Sequence, residues 1–130
     1  MKIGVVGQGY VGTAVKSVFE KHYKTNTYDL NGNCSCKSLD ELVMKSDVIF
    51  VCVPTPMNRD GSCNTDIVKS VVREIDEINK GALLYDEDDG KIVAIKSTVP
   101  PGTTERLSKK YQHIRGIVFN PEFLTEANFI

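Results

Sequence analysis

The sequence predicts an α/β protein: a single domain on a doubly wound parallel sheet of about five strands, with helices on both faces. Three observations carry this. Strand-like apolar runs alternate with helical periodicity in the order βαβαβαβαβ, joined by short connections. Two of those runs, "DVIFVCV" and "KIVAIKS", are continuously apolar, as in strands covered on both faces. Gly7, Gly9 and Gly12 stand between the first strand and the first helix. Right-handed crossovers then leave the doubly wound sheet as the leading arrangement.

Each element has its own justification. Lys2 to Val6 is short and β-branched, a strand. Over residues 10–22, Val11, Ala14, Val15, Val18 and Phe19 recur at helical spacing. Residues 24–28 form a more polar strand. Ser38-Leu39-Asp40-Glu41 has the pattern of a capping box, which starts a short helix running to about Lys45. Residues 47–53 are the first buried-type strand. "PTPMNRDGSCNT" is a loop by its Pro and Gly content. Ile67, Val68, Val71, Val72, Ile75 and Ile78 mark an amphipathic helix. "YDEDDGK" reads as a solvated acidic turn. Residues 91–97 are the second buried-type strand, "TVPPGTTERLSKKY" breaks and then turns helical, and "RGIVFN" is the last strand.

Bulk properties narrow the function. The chain has 130 residues, enough for one domain with a core and too few for two. Its formal net charge is -1, with acids and bases interspersed, which argues against nucleic acid or a membrane surface as partner. No apolar run approaches the ~20 residues of a membrane span. One lysine and then a strand, with no small-residue cleavage site, predicts no signal peptide. Cys34, Cys36, Cys52 and Cys63 lack zinc-ligand spacing, so no metal is expected. They suggest no disulfide framework either, and Cys52 reads as a small buried hydrophobe. The expected compartment is a reduced one, the cytoplasm.

Gly7-x-Gly9-x-x-Gly12 matches the dinucleotide fingerprint of a Rossmann-type sheet. The first glycine serves a tight turn. The second keeps the backbone open to a pyrophosphate, and the third lets the helix pack close to the strand. The positive end of the following helix, at Tyr10 and Val11, would face the phosphates. The context also fits, because the second strand ends on an acid, Asp29. Its carboxylate would accept the adenosine ribose hydroxyls and repel the extra phosphate of NADP, so the expected cofactor is NAD. A plain turn residue in "DLNGN" is the alternative for Asp29.

Ligands of such sheets bind beyond the carboxyl ends of the strands. Polar and turn-forming residues gather at all five predicted ends: Gly7, Asp29, Pro54-Thr55-Pro56, Ser97-Thr98 and Asn120-Pro121-Glu122. Taken singly, Thr55, Thr98 and Asn120 are equally compatible with ordinary loop or cap roles. In "NPEFLTEANFI", a helix after Pro121 would place Glu122 and Glu126 four residues apart on one face. Such a pair could position water and move protons, or could simply face solvent.

Together, "GVVGQGYVG", "VCVPTP", "KSTVPPGTT" and "NPEFLTE" resemble the N-terminal half of UDP-glucose 6-dehydrogenase and its relatives acting on other nucleotide sugars. The resemblance runs over nearly the whole chain, making residues 1–130 an NAD-binding domain. It implies oxidation of UDP-glucose to a carboxylate with two NAD. The first hydride transfer gives the aldehyde level, a cysteine attacks, a second hydride leaves, and the thioester is hydrolysed. It further implies that Gly7, Gly9, Tyr10, Val11 and Gly12 cradle the pyrophosphate and that Asp29 holds the ribose. Thr55 would meet the nicotinamide side, and Thr98 would position water or the substrate hydroxyl. Glu122 and Glu126 would serve the water and proton steps, with Glu126 also near the nicotinamide.

Two departures accompany the resemblance. Cys34 stands about where family members often carry a basic residue, which weakens adenosine-side binding unless Lys37 substitutes. The family's nucleophilic cysteine, its lysine and asparagine, and most of the UDP-sugar site have no counterpart in these 130 residues. The UDP-sugar is therefore expected as a partner only with that missing part, as is the family's homodimer. A stand-alone NAD-binding or regulatory module, and a domain of another two-domain NAD-dependent dehydrogenase, remain as alternatives.

Overall fold

The computed structural model describes residues 1–84 and 90–120. Five strands, β1 (Lys2–Val6), β2 (Lys24–Tyr28), β3 (Val48–Val51), β4 (Ile92–Ile95) and β5 (Gly116–Phe119), alternate with four helices. The helices are α1 (Tyr10–Phe19), α2 (Leu39–Met44), α3 (Asp66–Leu83) and α4 (Thr103–Lys110). The strands form one parallel sheet in the order β2-β1-β3-β4-β5. This is the doubly wound Rossmann-type sheet expected from the alternation. The chain steps outward from β1 to β2 and then crosses to β3 on the far side of β1. A crevice therefore opens between the ends of β1 and β3.

The two faces are unequally covered. Val15 of α1 packs on Ile3, Val5, Phe50 and Ala94 on one face. On the other, α2, α3 and α4 bring Leu42, Val72 and Leu107 to Ile49, Val51, Val93 and Ile95. Residues 49–51 and 93–95 are all buried, as their unbroken apolar runs require.

Several boundaries differ from the sequence expectation. Helix α1 ends at Phe19 rather than residue 22, because the chain tightens there: the His22 N–H turns back to Phe19 O at 3.1 Å. Helix α3 runs five residues past Ile78. Asn79, the next buried residue, is polar, so an apolar pattern alone stops short of it, and Asp76 is a second buried polar residue of the same helix. Both bond to His113: Asp76 accepts its N–H at 2.8 Å, and Asn79 Nδ2 donates to its carbonyl oxygen at 2.7 Å. The strands β3 and β4 are shorter than their apolar runs, although the Asp47 and Cys52 N–H groups still bond to Lys2 O and Val6 O of the β1 strand.

Helix α2 begins as its pattern predicts, with Ser38 Oγ accepting the Glu41 N–H at 3.1 Å. The Glu41 carboxylate, however, takes the Lys37 N–H at 2.8 Å in place of the Ser38 N–H of a full capping box. That bond, with Lys45 beside it, holds the Glu41 carboxyl below its usual range. The outer edge of β2 is closed by the segment ahead of α2. Ser35 and Thr27 exchange backbone-to-hydroxyl bonds of 2.8 and 2.9 Å, and the Cys36 N–H donates to Thr27 O. That closure leaves less of an open edge for another chain to pair with. Of the predicted features, most of the acidic turn and everything from Pro121 onward lie outside the described residues.

Candidate functional site

A groove of about 850 Å³ opens beyond the carboxyl ends of β1 to β4. Gly7, Gly9, Tyr10, Val11, Asp29, Thr55 and Thr98 all line it. Gly12 does not. It is buried beneath, on the inner side of α1. Glu122 and Glu126 lie outside the described residues. Asn120 is off the groove wall, but its Oδ1 accepts from Lys96 Nζ at 3.4 Å, and Lys96 lines the groove.

The three glycines do different things. Gly7 has φ +96, a left-handed conformation, and a Cβ there would lie 2.6 Å from Cys52 O. Its N–H bonds to Tyr28 O, so the turn is fixed between β1 and β2. Gly9 caps α1 in an extended conformation, with nothing within 4 Å of where its Cβ would be. A Cβ on Gly12 would collide with the Gly7 carbonyl oxygen. No side chain caps α1 and no acid lies in its first turn, so its positive end opens uncompensated toward the groove.

Asp29 is a turn residue that also lines the groove. Its Oδ2 accepts the Gln8 N–H at 2.6 Å, pinning the glycine turn to the end of β2, and its Oδ1 accepts the Asn31 N–H at 2.9 Å. Each oxygen keeps acceptor capacity for a further donor. The uncapped helix end, the open space above Gly9 and this carboxylate are what a dinucleotide requires, so the residues fit NAD.

At the other end of the groove, the loops after β3 and β4 are tied together. Ser97 Oγ donates to Val53 O at 2.7 Å. Cys63 Sγ lies 3.3 Å from Thr98 O and 3.8 Å from Thr55 O, so a thiol spans the two loops that carry the candidate threonines. Cys52 is only half buried and lines the groove, a correction to its reading as a core residue. None of the four cysteines, all among the described residues, forms a disulfide. Among the described residues, no cluster of His, Cys, Asp or Glu is placed to hold a metal. No helix there is long and apolar enough to cross a membrane.

The model of the UDP-glucose/GDP-mannose dehydrogenase family, NAD binding domain, matches residues 17–130. The chain belongs to this family. UDP-glucose 6-dehydrogenase of Streptococcus pneumoniae is 28% identical over 156 aligned positions, which take in 98% of this chain and 37% of the relative. GDP-mannose 6-dehydrogenase of Pseudomonas aeruginosa is 29% identical, over 99% of this chain and 30% of the relative. Among solved structures, a UDP-glucose dehydrogenase from the archaeon Pyrobaculum islandicum superposes with a TM-score of 0.77 at 27% identity. It covers 96% of this chain and 36% of that one. A ternary complex of GDP-mannose dehydrogenase from P. aeruginosa reaches 0.83 at 22% identity, a likeness of fold, over all of this chain and 38% of that one. The chain thus spans 30% to 38% of the length of these proteins. The alignment to the S. pneumoniae enzyme is also longer than the 130 residues here, so that enzyme carries segments with no counterpart.

The turn after β2 carries Cys34 and not a basic residue. Cys34 Sγ bonds to Asp29 O at 3.6 Å and Cys36 O at 3.2 Å, so it shapes the turn and adds no charge. Lys37, which could stand in for that basic residue, is not among the residues lining the groove. The one cation lining the groove among the described residues is Lys96, at the β4 end. A 2′-phosphate beside Asp29 would meet a carboxylate with no cation at hand. Two such charges ~4 Å apart repel by about 4 kcal/mol at an effective dielectric of ~20, less when solvent screens them. The chain is therefore expected to bind NAD at least about tenfold more tightly than NADP in calorimetric titration. Equal affinities would remove Asp29 from the ribose role.

Sequence reasoning missed the α3 wall of the groove, where Asp66, Ile67, Ser70, Val71 and Glu74 stand. The available signal was the polar series Asp66, Ser70 and Glu74 at four-residue spacing beside the apolar stripe.

Proposed function

We propose that the chain is the cofactor half of a nucleotide-sugar 6-dehydrogenase that oxidises UDP-glucose to UDP-glucuronate. The observation that carries this reading is the convergence of the glycine turn, Asp29, Thr55 and Thr98 on one groove at the strand ends. NAD supplies the hydride acceptor. Gly7 and Gly12 hold the turn and the start of α1 in place, while Gly9, Tyr10 and Val11 receive the pyrophosphate on the positive end of that helix. Asp29 orients the adenosine ribose. Thr55 borders the nicotinamide side and Thr98 positions water or the substrate hydroxyl. Glu122 and Glu126 serve the water and proton steps, with Glu126 also beside the nicotinamide. The nucleophilic thiol and most of the UDP-sugar contacts belong to the part of the relatives that this chain does not match. Binding of the UDP-sugar and formation of a homodimer therefore need that part.

The test joins the chain to the remaining portion of the S. pneumoniae enzyme and follows NADH at 340 nm. Two NADH per UDP-glucose are expected from the fusion and none from the 130-residue chain alone. Without a thiolate to hold the aldehyde, the second hydride has no route, and nothing fixes the sugar at hydride distance. Steady NADH formation by the chain alone would overturn this reading. NADH from GDP-mannose and not UDP-glucose would move it to the second substrate, which the similarity to the P. aeruginosa GDP-mannose enzyme supports.

A further inference from the structure

The half of the groove between the end of β2 and α3 is built differently from the half beside Thr98. Ile67, Ser70, Val71 and Glu74 follow one another at i, i+3, i+4 and i+7, so they form a single stripe of α3 along the groove. The stripe is half apolar and half hydrogen-bonding. Leu30, directly after Asp29, lines the same groove and is 89% exposed, while Ile67 is 40% exposed. Two apolar side chains left in water along one groove suit a flat, weakly polar ligand. Glu74 and Ser70 line this groove, and neither side chain has a hydrogen-bond or ion-pair partner among the described residues.

We propose that Glu74 is a specificity-determining residue for the base of the dinucleotide, reading the exocyclic amine of adenine from the α3 wall. The inference rests on the NAD reading of the groove and adds to it a choice of base. An ionised carboxylate only accepts hydrogen bonds. The amine at C6 of adenine only donates, and hypoxanthine carries a carbonyl oxygen at the same position. Glu74 therefore attracts the first and repels the second. Leu30 and Ile67 flank the ring, and Ser70, which both donates and accepts, tolerates either base.

The probe is nicotinamide hypoxanthine dinucleotide, compared with NAD by calorimetric titration of the whole chain. The unsubstituted chain is expected to prefer NAD by about tenfold or more, the scale of one hydrogen bond to a charged group. Glu74→Gln places an amide that can donate to the carbonyl, and the preference should shrink to near unity or invert. Glu74→Ala should weaken NAD several-fold and leave the hypoxanthine form unchanged or tighter. Glu74 is exposed on a helix surface, so neither variant should change the melting temperature by more than a degree or two. Equal binding of both dinucleotides to the unsubstituted chain would overturn the inference and leave the NAD reading standing. So would an unchanged ratio in Glu74→Gln. Binding of neither dinucleotide would overturn both.

Discussion

Gly9→Val is expected to reduce NAD affinity by at least about 100-fold while the fold survives. The two halves of that result have separate causes. Gly9 sits at φ -73, ψ -164, extended backbone that valine adopts readily. No atom lies within 4 Å of its absent Cβ, so the new side chain meets nothing in the protein. The remaining cost to folding is a poorer N-cap, under about 1 kcal/mol. The space that the isopropyl group fills is the space over the positive end of α1. A pyrophosphate must approach the backbone there to reach the N–H groups, and every atom on Gly9 holds it off. Calorimetry with NAD and thermal melting of the same sample separate the two effects. Normal NAD binding by a folded Gly9→Val protein would mean that the space above Gly9 is not where the phosphates lie. It would remove the central support for a dinucleotide site.

That the glycines could be read from sequence, and the α3 wall could not, has a physical basis. A turn from strand to helix is a local event, and its demands on Gly7, Gly9 and Gly12 fall within six residues. The structure meets each demand with a different contact or with empty space. Asp29 was legible as an acid at a strand end, but its grip on the Gln8 N–H depends on β1 and β2 lying side by side. Ser70 and Glu74 show in the sequence only as part of a polar series at four-residue spacing. On a helix surface both are ordinary, and only the crossing of the chain from β2 to β3 brings α3 to the groove that Leu30 also lines. The strap over the β2 edge is similar. Ser35 and Thr27 are eight residues apart and form a reciprocal pair only once the chain has turned back on itself. The end of α3 was misjudged for the opposite reason. Asn79 looks like a surface residue, and His113 from a distant loop bonds to its amide and makes its burial possible.

Gly12→Ala should fail in the opposite way to Gly9→Val, by losing the fold before it loses the ligand. In a helix interior, alanine is ordinarily the better residue by up to about 1 kcal/mol. Here its Cβ would collide with the Gly7 carbonyl oxygen, and its next neighbour is the Gly7 carbonyl carbon at 2.8 Å. Both are backbone atoms of a turn already fixed by the Gly7 N–H bond to Tyr28 O and by Cys52 on its other side. The turn has no rotamer to change, so α1 must move away from β1 as a body. That movement pulls Val15 from its contacts with Ile3, Val5 and Phe50, the core that α1 supplies to its face of the sheet. Overpacking against backbone, together with lost core contacts, should cost about 3 kcal/mol or more, even after the gain in helix propensity. The expected result in urea is a midpoint shifted well below that of the unsubstituted chain. NAD should restore part of the stability only at concentrations far above those that saturate the original protein. A Gly12→Ala protein as stable as its parent would mean that α1 does not press on the glycine turn. The uncapped helix end would then not be held where the phosphate site needs it.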